Sequence, residues 1–174
     1  GAWPPHRRTG ISAWPCRSLR ATPSCGGRID IEFQIPVRVY YQDTDAGGVV
    51  FHATYLDFLE RARMEWMRSR GFDARQLASR FRLVFIVRQL DIAYMKPALL
   101  DDLVSVSAVV EKMGRAQLTF AQEVRRDGDT LVRAAVNVAC VGAEGLKPMP
   151  FPEEIRMALA GGAKPATKET VQAG

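Results

Sequence analysis

Cysteine and histidine are scarce in this 174-residue chain, with three Cys and two His. Cys16, Cys25 and Cys140 show no metal-ligand spacing, so neither a zinc site nor a disulfide framework is expected. Cys140 sits in an alternating apolar run and reads as a buried small hydrophobe. The expectation is a reduced, cytoplasmic chain. No apolar run reaches the roughly 18 residues of a membrane helix, so no membrane span is expected. There is no G-x-S-x-G elbow. His6 lies far from the other candidates, which leaves His52 alone and excludes a Ser-His-Asp arrangement. Acidic residues are missing before Asp30, where Arg7, Arg8, Arg17, Arg20 and Arg28 fall. Setting those five aside leaves 19 of the 24 basic residues against 19 acidic ones, so the net charge of +5 belongs to the first segment. A neutral body lacks the basic face of a nucleic-acid module. It still allows a local patch for one phosphorylated ligand.

What the chain does contain is centred on residues 40–52, YYQDTDAGGVVFH. Before this stretch, Ile31, Phe33, Ile35, Val37, Val39 and Tyr41 alternate with Glu32, Gln34, Pro36, Arg38 and Tyr40, the period of a half-buried strand. The alternation sends one of Tyr40 and Tyr41 inward and the other outward. After the stretch, Tyr55, Phe58, Leu59, Ala62 and Trp66 recur at helical spacing, and Gly71 ends the pattern. The helix is expected over about residues 54–70, with Thr54 as N-cap. Asp57 and Arg61, one turn apart, read as a solvated pair. A glycine turn running into a helix start leaves unpaired N–H groups at one place, and the helix dipole adds about half a positive charge there. A carboxylate beside such an amide suits acyl transfer. Asp43 and Asp45 can equally be plain turn residues. A calcium loop is discounted because the chain turns apolar at Val49, Val50 and Phe51.

Residues 1–29, rich in Pro, Gly and Arg, read as a disordered basic extension, and residues 161–174 as a flexible tail. Between them lies one domain, 30–160. A loop with a short helix over 74–79 follows the long helix. Strand patterns then cover 84–95, 103–110, 117–124 and 132–140, with a strong hairpin signal at Asp127-Gly128-Asp129. A short helix is expected over 152–159. One strand, one long buried helix and a meander of four long strands make an α+β antiparallel sheet of about five strands, with the helix on one face.

The pattern Y-x-D-T-D-A-G-G-V-V-F-H-x-x-Y-L-x-F-x-E-x-A-R resembles the hotdog-fold acyl-CoA thioesterases of the 4-hydroxybenzoyl-CoA thioesterase type. It is most similar to their YbgC-like, Tol-Pal-associated branch. The likeness runs from about Phe33 to Arg156. It implies a sheet wrapped around the central helix, a homodimer or homotetramer, an acyl-CoA substrate, possible service to acyl carrier protein, and no cofactor or metal. Small or medium acyl-CoA is the expected substrate. The alternatives are a hotdog hydratase or dehydratase on acyl thioesters, and a non-catalytic acyl-thioester-binding partner of envelope or lipid proteins.

The resemblance also implies roles at the site. Asp45 matches the catalytic carboxylate, as nucleophile or as base for water. The backbone N–H of His52 matches the oxyanion donor, and the His52 imidazole is a second catalytic candidate against a local hydrogen-bonding role. Gly47, Gly48 and Val49 lie beside the substrate, with Tyr55 as core or pocket wall. Asp43 holds the turn by accepting backbone N–H bonds. Glu60 is the second-choice carboxylate, expected to be bound to a neighbouring Arg. Lys112 and Arg115, flanking Gly114, and Arg88 are candidates for the coenzyme phosphates.

Overall fold

In a computed structural model, residues 33–160 are described. The expected extension over 1–29, the tail over 161–174 and the start of the first strand lie outside the described residues.

The order along the chain is β1 (Gln34–Arg38), α1 (Thr54–Ser69), α2 (Ala74–Arg80), β2 (Leu83–Tyr94), β3 (Leu103–Ser107), β4 (Val109–Met113), β5 (Gln117–Arg126), β6 (Asp129–Gly142) and α3 (Glu153–Ala160). The sheet runs β1-β3-β5-β6-β2, with β4 also on β5. Every pairing is antiparallel. This α+β architecture, a sheet around one long helix, is the expected hotdog fold. There are six strands rather than five because the segment from Leu103 breaks at Ala108. The Ala108 N–H still bonds the carbonyl of Phe33, one step beyond the β1–β3 pairing, and from Val109 the chain pairs with β5 instead. A break of this kind lets a sheet curve.

The meander holds only for its last strands. β2 does not sit beside β3; it crosses to β6, from Leu83 opposite Gly142 to Tyr94 opposite Val132. Alternation shows which face of a strand is buried and says nothing about its neighbour. The hairpin is as expected: Asp127 and Gly128 both take positive φ, 51° and 86°, between the paired Arg126 and Asp129.

The first strand is shorter than its alternation. After Arg38 the chain coils into a single 3-10 turn, Tyr41–Asp43. Tyr40 and Tyr41 are therefore both exposed, at 61% and 82%. Inward–outward alternation needs a continuous extended backbone, and the turn that begins at Tyr41 interrupts it.

Helix α1 buries Tyr55, Phe58, Leu59, Ala62, Trp66 and Met67. This is one apolar stripe at helical spacing. Trp66 meets Phe120 edge-on at 5.2 Å between centroids. Gln122, on β5, is 1% exposed. Its amide donates to the carbonyls of Leu59 and Ser107, both at 3.0 Å, and so ties the helix to the sheet. Gly71, at φ 90°, closes the helix. Thr54 is the first helical residue rather than the N-cap; Ala53 holds that place and offers no side-chain cap. Nor do Asp57 and Arg61 pair among the described residues. The Arg61 guanidinium lies over the Phe58 ring at 5.7 Å.

The Cys140 side chain is buried, as expected. Burial pushes its thiol up to about 11.

Phe58 is fully buried between α1 and the sheet. Phe58→Ala is expected to cost about 3–5 kcal/mol, read as a lower denaturation midpoint with an unchanged slope. A loss well below 1 kcal/mol would contradict this placement of the core.

Candidate active site

The turn between β1 and α1 is fixed by backbone bonds. The Asp43 side chain, 5% exposed, accepts the Tyr40 N–H at 2.8 Å. Its carbonyl accepts the Phe51 N–H at 2.9 Å. Within that frame Asp45 N–H donates to Val49 O at 2.9 Å, and Gly48 N–H to Asp45 O at 3.0 Å. The Val50 N–H donates to Ala98 O at 2.9 Å, docking the turn on the loop after β2. That loop is held in turn by Asp102, which accepts the Leu99 N–H at 2.7 Å and pairs with Arg126. Asp43 thus holds the turn, as its residue type suggested.

Asp45 lies at the surface of this chain. Its Oδ1 accepts the Gly47 N–H at 2.7 Å, an Asx turn. A Cβ on Gly47 would stand 3.0 Å from that oxygen, so the missing side chain lets the carboxylate fold over the loop. Gly48 has φ 74°, which costs non-glycine residues roughly 1–2 kcal/mol.

Seven residues on, His52 sits just before α1 with its ring exposed. The imidazole packs on Phe51 at 4.3 Å and edge-on to Tyr94 at 6.5 Å between centroids. No hydrogen bond joins it to Asp45 among the described residues, so the two form no dyad within this chain. The His52 carbonyl accepts the Tyr94 hydroxyl at 2.9 Å. Its N–H has no acceptor among the described residues. With Ala53 as N-cap, no side chain fills the helix start. An unclaimed N–H beside a helix start is an anion-seeking group. The arrangement offers an exposed carboxylate and a backbone donor on one short turn.

Tyr94 was not singled out from the sequence. In the alternating pattern it is one more strand residue, yet it stands 5.7 Å from Tyr55 between centroids and holds His52 through its hydroxyl. Burial raises its hydroxyl pKa, so it stays a donor. Its place at the end of β2, just before Met95-Lys96-Pro97, was the available signal. Tyr55 is core: it is 2% exposed, and its hydroxyl accepts the Ala98 N–H at 2.8 Å. Burial raises its pKa too, partly offset by that bond.

Glu60 is exposed and forms no ion pair among the described residues. The expected bond to an arginine is replaced: Arg63, one turn on, donates instead to Gln122 Oε1 at 2.8 Å. Arg88 and Arg115 come together at a concave site on the sheet face away from α1, with Ile86, Val141, Leu146 and Pro148. No acid lines it. Lys112, on β4, lies outside that lining. Val49 is half-buried and bridges to Leu99. Among the described residues, no three His, Cys, Asp or Glu side chains gather as metal ligands would. No helix among them is long and apolar enough to cross a membrane.

Residues 47–133 match the model of the thioesterase superfamily. The chain is 45% identical over 131 residues to the acyl-CoA thioesterase YbgC of Haemophilus influenzae, covering 75% of this chain and 96% of that protein. It is 42% identical over 124 residues to the acyl-CoA thioester hydrolase YbgC of Escherichia coli, covering 71% and 92%. Among solved structures, a probable thioesterase from Bartonella henselae superposes with a TM-score of 0.66 at 36% identity, covering 68% of this chain and 98% of that one.

Tyr94→Phe removes only the hydroxyl that holds His52. It is expected to lower stability by about 1 kcal/mol and to shift the backbone amide resonances of His52 and Ala53. Unmoved resonances at both residues would show that the bond does not form in solution.

Proposed function

The chain belongs to the thioesterase superfamily as a thioester hydrolase of hotdog fold, and from that premise we propose that it cleaves a small or medium acyl-CoA to free acid and coenzyme A. The observation that carries the reading is the His52 N–H just before α1, without an acceptor among the described residues, on the same turn as the Asp45 carboxylate.

In this reading the thioester carbonyl oxygen points at the His52 N–H, and Gly47, Gly48 and Val49 flank the reacting carbon. Asp45 leaves its bond to Gly47 and acts in one of two ways. As base, it takes a proton from water while the oxygen adds to the carbonyl carbon. As nucleophile, its carboxylate oxygen adds instead, and water later splits the mixed anhydride. Either way the carbonyl π electrons move onto oxygen, beside the N–H, and return as the C–S bond breaks. The sulfur leaves as thiolate and takes up a proton. The amide stabilises charge that exists only in the transition state and the intermediate. The His52 ring, resting on Phe51 and Tyr94, shields one side of that charge.

Asp45 is exposed in the single chain, and a weak base of ordinary acidity needs burial or geometry to act. A second copy supplies the cover in our reading. β2 ends the sheet order and exposes Ile86 at 38% and Val87 at 54%, an unpaired edge that invites another strand. A homodimer or homotetramer built there would put Asp45 of one chain beside the pantetheine channel of the other. Arg115 with Arg88, and Lys112 from the neighbouring strand, would take the phosphates of coenzyme A or of acyl carrier protein. The chain would act in the cytoplasm, with no cofactor beyond the coenzyme A of its substrate.

The test is thiol release from a panel of acyl-CoA esters. Asp45→Asn is expected to lower turnover by about 10²–10⁴-fold with the fold intact. Near-normal turnover in the folded variant would rule out Asp45.

A further inference from the structure

A second pocket, about 340 Å³, opens between α1 and the start of β2, two to four turns past the catalytic turn. Met64, Met67, Phe85, Leu118, Phe120 and Val138 give it apolar walls. Two charged side chains interrupt them, Glu60 and Arg63. Arg63 is half-buried, and burial pulls its guanidinium below the usual arginine range, partly offset by Glu60. A guanidinium has five N–H donors and stays charged. Only one of them is claimed, by Gln122 at 2.8 Å. The rest have no acceptor among the described residues.

Gln122 is itself fixed. It is 1% exposed, and its amide nitrogen is held by the carbonyls of Leu59 and Ser107. Arg63 is therefore aimed rather than loose. The remaining donors are accessible rather than sealed off, so a half-buried guanidinium set among apolar walls is open to an anionic acceptor. Met64 and Met67 give the walls some freedom to fit different chains.

We propose that this pocket receives the acyl group, and that Arg63 selects acyl groups whose far end carries a carboxylate over plain alkyl chains. The proposal rests on the thioesterase reading and deepens it by naming the substrate class. Because Gln122 fixes the guanidinium, selection is confined to the chain length at which the terminal oxygens reach it. Glu60 competes for the same cation, so Glu60→Gln sharpens the selection.

Two measurements test it. The first compares kcat/KM for straight-chain acyl-CoA esters of graded length, with and without a terminal carboxylate. At one length the wild type is expected to favour the carboxylate-ended ester by about ten- to a hundredfold, the range for a bond to a charged group. Arg63→Met should abolish that ratio, and Arg63→Lys should keep part of it, since an ammonium lacks the planar fork. The second measurement is calorimetric titration of the Asp45→Asn protein with free dicarboxylic and monocarboxylic acids. It needs no turnover, so it separates this proposal from the hydrolase reading. Tighter binding of the dicarboxylic acid, lost in Arg63→Met, supports the assignment. A wild type without preference at any length would overturn it, as would an Arg63→Met protein that keeps the preference. A change of oligomeric state in that variant with the preference intact would make the pocket a subunit contact instead.

Discussion

The buried carboxylate of Asp43 is the constraint on which the site depends. It takes the Tyr40 N–H and ends the first strand in one tight turn. Its own carbonyl takes the Phe51 N–H, so both ends of the 43–51 loop meet at one residue. That closure sets where Asp45 hangs and where α1 begins. A buried acceptor without its donors would cost about 1–3 kcal/mol, and this penalty keeps the loop from opening. The Val50 N–H then ties the loop to Ala98, in a segment that Asp102 holds through the Leu99 N–H.

Rigidity and freedom are divided between the two acids of the motif. Asp43 is buried and spent on structure. Asp45 is exposed, and among the described residues its carboxylate is bonded within its own loop, through Gly47. The helix start is left without a side-chain cap, a local loss of about 0.5–2 kcal/mol compared with a capped one. One residue before that uncapped start, the His52 N–H has no acceptor among the described residues. Local stability is given up at the place where an oxyanion would need a donor, and Tyr94 restores order from the other side by holding the His52 carbonyl.

The sequence made some of this legible and hid the rest for physical reasons. The stripe of Tyr55, Phe58, Leu59, Ala62 and Trp66 announces α1, because burial on one side of a helix imposes its period. Asp127-Gly128 announces its hairpin, because both residues tolerate positive φ. The pairing of β2 with β6 carries no such mark, since a strand's period describes its own faces and not its neighbour. Tyr40 and Tyr41 misled because alternation was extended past the point where Asp43 turns the chain. Thr54 looked like a cap by residue type, yet the helix takes it as its first residue. The roles of Tyr94 and Gln122 were hidden for a common reason: each bonds a backbone carbonyl about forty to sixty residues away. The motif's last arginine, Arg63, acquires meaning only once Gln122 is seen to aim it.

At the centre of the account is a single backbone N–H, that of residue 52, held free to meet a developing oxyanion. Side-chain substitution cannot remove it. Replacing the residue with the α-hydroxy analogue of histidine turns that amide into an ester and deletes the N–H while keeping the imidazole. Turnover of an acyl-CoA by the folded, ester-containing protein is predicted to fall by about a hundredfold or more. Turnover equal to that of the unaltered chain would contradict the account.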